Sequence, residues 1–251
     1  MSLIRIAARI AAVEALKGNT LVGDNVLDSE IGAFSQGADG TTRTDEDRPF
    51  IAVYTDGSEN KDNALRSMSV NGMTDFIFES GVTTTMTVTD PDTLETVVMP
   101  GIPATDKAFE FYLDMIARQI ADTLTNPDNA WAEVFRGLTS GVQGIKRART
   151  SSDASGVRLA GQQITVSAVL VNEPVRGAVM AVTHPLAKFF ALAADLEGTA
   201  VAKQIAMMQD QLAGTVSDYK VMQQRFGRTS AEARSTGLEV VGGPIVAGVN
   251  E

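Results

Sequence analysis

The chain is 251 residues long, 44% hydrophobic and 21% charged, with 22 glycines and 8 prolines, a composition that excludes disordered and fibrous classes. A chain of this size buries about 72% of its unfolded surface, enough for one real core. It holds no cysteine and one histidine, so disulfide frameworks, zinc-thiolate sites, cysteine nucleophiles and paired-histidine zinc motifs are excluded. The net charge of -10 is uneven, because residues 21–110 carry 17 Asp and Glu against 5 Lys and Arg. Such a field repels phosphate, so gripping nucleic acid through its backbone lacks its main energetic support.

Leu3, Ile6, Ala7, Ile10, Val13 and Leu16 recur at helical spacing. They predict an amphipathic helix over residues 3–17, capped by Ser2 and ended by Gly18-Asn19, whose apolar stripe lies on a sheet while Arg5, Arg9 and Lys17 face water or a neighbour. Arg5, Arg9 and Glu14 interrupt this stretch, which excludes a signal peptide, and no run reaches the length of a membrane span. Ser29–Arg48, with its Asp45-Glu46-Asp47 triplet, and Gly57–Gly72 are polar and predict two long loops. Between them Pro49-Phe50-Ile51-Ala52-Val53-Tyr54 predicts a strand with its proline at the first position.

Phe76, Phe78, Val82, Met86 and Val88 share one parity and threonines the other, predicting a strand or bent strand pair over 74–89 with a kink or bulge at Gly81. Asp90-Pro91-Asp92 breaks the pattern and Thr105 caps a second helix, with Phe109, Leu113, Ile116, Ile120 and Leu124 on its stripe. Asn126-Pro127 starts a shorter helix holding Trp131, Val134 and Phe135. Residues 144–151 and 157–171 predict a hairpin around Asp153-Ala154-Ser155-Gly156, with Ile164, Val166, Ala168 and Leu170 on one face. Its first arm carries Lys146, Arg147 and Arg149, a solvated or interface face. Leu186–Leu212 is helical with a break at Gly198, and 217–226 continues it. The apolar, glycine-broken Leu238–Val249 is an edge strand or an arm that pairs with another chain. The fold class is therefore α+β: one mixed, mostly antiparallel sheet flanked by helices, with a helical C-terminal extension. The expected division is a domain over 1–180 and an extension with a glycine-rich arm over 181–251.

His184 precedes Pro185 at a helix entrance and reads as a boundary residue, since no Gly-x-Ser-x-Gly elbow supplies a nucleophile for it. Neither Asp45-Glu46-Asp47 nor Asp90-Pro91-Asp92 has the spacing of a calcium loop, and no glycine-rich phosphate loop is present. No catalytic residue, cofactor or metal is expected. Of Met207-Met208, core packing is favoured over a partner surface.

The order of features is the most informative signal. An N-terminal helix ends at Gly18-Asn19-Thr20-Leu21, followed by Val26-Leu27-Asp28-Ser29, a polar loop, the Pro49–Tyr54 strand, a long alternating strand, the helix around Ala108 to Asp122, and a polar hairpin. The hairpin leads into Arg158-Leu159-Ala160-Gly161-Gln162-Gln163-Ile164-Thr165-Val166. Over roughly residues 1–172 this resembles the tail terminator (tail completion) proteins of long-tailed bacteriophages. The resemblance implies a non-enzymatic virion subunit, assembled in the host cytoplasm, that forms a ring, a hexamer in this family, on the last ring of the tail tube. It implies as partners the tail tube protein and a head completion or connector protein, with DNA passing without specific binding and no membrane involved. The nearest alternatives are another head-tail connector or a tail tube subunit, and from a different class a small metal-dependent hydrolase using the Asp-rich loops. Candidate contact residues between subunits are Arg5, Arg9, Arg158 and the loop acids Asp45, Glu46 and Asp47.

Overall fold

The computed structural model describes residues 2–30, 35–36, 42–43, 46, 48–61, 66–83, 87–89, 96–98, 106–154 and 157–236. In chain order the elements are α1 (Leu3–Leu16), β1 (Val26–Asp28), β2 (Ser35–Gln36), β3 (Thr42–Arg43), β4 (Phe50–Glu59), β5 (Met73–Thr83), β6 (Thr87–Thr89) and β7 (Thr96–Val98). There follow α2 (Asp106–Thr125), α3 (Ala130–Leu138), β8 (Thr139–Ala154), β9 (Val157–Leu170), α4 (Pro185–Ala193), α5 (Ala200–Leu212), α6 (Asp218–Arg225) and α7 (Ser230–Ser235). The main sheet has the order β1-β4-β5-β9-β8, in which β1 runs parallel to β4 and every other pair is antiparallel. β2–β3 and β6–β7 are separate two-stranded pairs. The protein is thus α+β, with helices against a mixed, mostly antiparallel sheet and further helices toward its C-terminus.

Ser2 caps α1 by accepting from the Arg5 amide at 3.0 Å, and Gly18, at φ 68°, takes the left-handed turn after the helix that a side chain would resist. Burial of α1 is broader than one stripe. Ile4, Ile10, Val13 and Leu16 are buried, and so are Ala7, Ala8, Ala11, Ala12 and Ala15. The helix touches β1 and β4 as well as α2, α3 and α4, and its alanines let those neighbours come close.

The predicted stripe of α2, Phe109, Leu113, Ile116, Ile120 and Leu124, is buried in full. On β5, Phe76, Phe78 and Val82 are sealed from solvent, and Phe76 meets Phe135 of α3 edge-on at 5.4 Å. Trp131, Phe189 and Phe190 continue the edge-on contacts into α4, and Ile205 and Met208 of α5 join the same core, whereas Met207 is exposed. Gly198, at φ 85°, marks the break between α4 and α5.

Several boundaries differ from expectation. β4 continues to Glu59 because its register shifts between Thr55 and Ser58, after which Ser58 and Glu59 pair with Thr74 and Met73, so the second loop starts at residue 60. Gly81 is no bulge: it pairs in register with Phe50 on one side and Gly161 on the other. β5 stops at Thr83, and β6 pairs with β7 instead of prolonging it. α3 starts at Ala130 with Asn129 as its cap, because Asn126 accepts from the Asp128 amide at 2.9 Å and holds Pro127 in a turn. Ladder pairing of the hairpin reaches Ala154 and Val157, which takes Asp153 and Ala154 out of the turn. Asp90-Pro91-Asp92, Thr105 and Leu238–Val249 lie outside the described residues.

Candidate interaction surface

Glu173, just after β9, is the anchor of the N-terminus. Its carboxylate accepts from the Leu3 amide at 3.0 Å, the Ile4 amide at 3.1 Å and the Asn71 side chain at 3.0 Å, and also from the Ser2 hydroxyl. An anion at the start of a helix meets both the unpaired amides and the favourable end of the dipole.

Arg5 and Arg9, placed one turn apart on α1, turn inward toward the chain's own sheet. Arg5 donates to the Thr55 hydroxyl at 2.7 Å and to the backbone oxygens of Thr55 and Asp56 at 2.8 and 2.9 Å, beside the irregularity in β4. Arg9 pairs with Asp28 of β1 at 2.6 Å, with side chains only 16% and 20% exposed. Together with Ser2, Ser29 and Tyr54 they line a cleft of about 170 Å³. Of the loop acids, Glu46 accepts from Asn25 at 3.2 Å beside β1, while Asp45 and Asp47 lie outside the described residues. The Arg158 backbone pairs with Asp153 near the tip of the hairpin; its side chain lies outside the described residues. The candidate residues therefore do not converge on one site: Arg5, Arg9 and Glu46 border the β1 side of the sheet, and Arg158 is on the far hairpin.

The sheet face turned away from α1 and α2 carries a polar row. Glu79 accepts from the Tyr54 hydroxyl and from Gln163, both at 2.7 Å, and Asp75 accepts from Ser167 at 2.5 Å. Burial, then the neighbouring Glu79 carboxylate, raises the Tyr54 pKa and keeps the phenol protonated. His184 caps α4 with Nδ1 accepting from the Leu186 amide at 3.2 Å, and its burial lowers its pKa. It borders a cleft of about 350 Å³ that also includes Glu173 and Arg225. Among the described residues no group of three or more His, Asp or Glu side chains is placed to hold a metal ion, and no helix is long and apolar enough to cross a membrane.

The surface around β8, whose Lys146, Arg147 and Arg149 read as a solvated or interface face, holds a groove that the sequence reading did not find. Among the described residues this strand stands at the edge of the sheet, laddered to β9 and with β3 also in contact with it, and every residue from Val142 to Arg149 is exposed. Val142 and Ile145 are 53% and 50% exposed. Arg149 is held to α2 by Glu110 and Asp114, which fixes the edge strand against that helix. Between them runs an open groove of about 320 Å³, lined by Ile120 and Leu124 of α2, Val142 and Ile145 of β8, and Ile164 and Val166 of β9, with Arg136 and Arg147 on its border. A long edge with exposed apolar side chains is where another chain adds a strand. Its signal in the sequence is the hairpin arm itself, but the groove exists only because α2 and β8 meet.

Comparison with protein-family models and with curated proteins gives no match to this chain.

Proposed function

We propose that the chain is a phage virion structural protein that closes into a ring on the end of the tail tube, ends tube growth and offers the surface to which the filled head is joined. The observation that carries this reading is the β8 edge, whose residues from Val142 to Arg149 are exposed beside an apolar groove. Monomers blunt or cover such an edge, whereas a subunit that must bind its own kind can use it. The resemblance in feature order over residues 1–172 supports the terminator role in particular, and the α+β scaffold supplies the rigid sheet on which ring contacts depend. The excess of carboxylates over residues 21–110 suits a wall past which DNA slides without adhering. In this reading no bond is made or broken; Tyr54, His184 and Glu79 serve structure.

Negative-stain electron microscopy of the purified chain tests it. Closed rings of uniform diameter are the expected result. Filaments of unlimited length identify a tube subunit instead, and isolated particles at all concentrations refute the assignment.

A further inference from the structure

We propose that the groove between α2 and β8 receives the C-terminal segment Leu238–Val249 of a neighbouring copy, added as a strand along the β8 edge. The neighbour's part in this rests on the ring reading above; the chemistry rests on the groove and the segment. The groove is walled by aliphatic side chains, among them Ile120, Leu124, Ile145 and Val166, and its border charges are both arginines, Arg136 and Arg147. The segment, which lies outside the described residues, is complementary on both counts. It offers Leu238, Val240, Val241, Ile245, Val246 and Val249, and its one charged residue is Glu239.

Geometry agrees. The described chain ends at Thr236, after α7, which is tied by Glu232 to Arg66 and by buried Ala233 to the body of its own subunit. Fifteen further residues extend up to about 50 Å, more than the roughly 27 Å of the exposed part of β8. Pro244 heads the run Ile245–Val249, the position in an added strand where a missing amide proton removes no ladder bond.

The absence of native cysteine makes the test direct. Two full-length chains with different affinity tags, one Ile145→Cys and one Val246→Cys, are co-expressed, purified through both tags and treated with a short bismaleimide. The expected product is a covalent pair joining the two tagged chains, at least tenfold more abundant than with Lys61→Cys, on an exposed site away from the groove, in place of Ile145→Cys. Ala121→Cys on the opposite wall repeats the experiment should Ile145→Cys fail to fold. A yield no higher than the Lys61→Cys control overturns the proposal, and so does a third chain bearing both Ile145→Cys and Val246→Cys that links only within itself while the two singly substituted chains do not link to each other. Rings seen in the same sample without the covalent pair refute the arm alone. Failure of the two tags to co-purify refutes the ring reading and the arm together.

Discussion

Replacing Glu173 with alanine removes the acceptor that holds the N-terminus of α1. The carboxylate takes hydrogen bonds from the Leu3 and Ile4 amides, the Ser2 hydroxyl and Asn71. Bonds to a charged acceptor contribute about 1.5–3 kcal/mol, and the anion at the helix start adds about 0.3–1 kcal/mol. Ile4 is sealed from solvent, so its freed amide regains little from water, whereas Leu3 is half-buried and is partly rehydrated. The expected loss is about 2–4 kcal/mol, equivalent to a fall in Tm of roughly 4–16 °C for a chain of this size. Glu173→Gln keeps one acceptor oxygen and loses the charge, so it should cost about half as much. Urea unfolding followed by circular dichroism supplies both free energies, and hydrogen exchange at Leu3–Ala7 localises the effect to the first turns of α1. A Glu173→Ala protein within 0.5 kcal/mol of the native one would show that the carboxylate is not what holds this helix, and a Gln variant as stable as the native protein would show that its charge plays no part.

Arg9→Ala leaves Asp28 half-buried without its cation, and should cost about 2–3 kcal/mol in urea unfolding, between the values for exposed and fully buried pairs; a change below 0.5 kcal/mol refutes the role given to the pair. For His184 the sign follows from its lowered pKa. The unfolded chain takes up the proton first, near the ordinary value of 6.5, so the histidine's contribution is whole above that pH and is lost as pH falls through the lower folded value. Protonation also removes the lone pair that caps α4, so native protein should lose stability between pH 7 and 5.5 relative to His184→Asn, and identical profiles would contradict this. Reversing charge with Lys146→Glu and Arg147→Glu on the exposed edge should reduce the assembled fraction in gel filtration while Tm stays within about 2 °C; intact assemblies would remove the β8 edge from the interface.

Legibility of the fold divides along the range of the interactions. The stripe of α2, the parity of Phe76, Phe78 and Val82, and the row Ile164, Val166, Ala168 and Leu170 are local repeats, and each side chain is buried as its spacing predicts except Val166, which is half-buried at the groove. The helices expected from the sequence end at residue 226 and leave out α7, although Thr229 and Glu232 form a capping box at its start, with the Thr229 amide and then Arg66 holding the Glu232 carboxyl down to about 2. What local pattern cannot carry is partnership at a distance. Nothing near Ser2 announces Glu173, and nothing near Arg9 announces Asp28, so residues that looked free for a neighbour are engaged within the chain. The stripe read from spacing includes only Ala7 of the α1 alanines, yet Ala8, Ala11, Ala12 and Ala15 are buried as well, where the neighbouring helices crowd in. The groove is still less legible, because its walls come from α2, β8 and β9 and it is a property of their meeting.

Native mass spectrometry of the full chain, over a range of protein concentrations, is the most direct test of the claim that this molecule works by binding copies of itself. The account predicts one closed species of fixed stoichiometry, about 160 kDa if six copies of 26.6 kDa assemble, with no ladder of larger forms. A single 26.6 kDa particle at every concentration would contradict it.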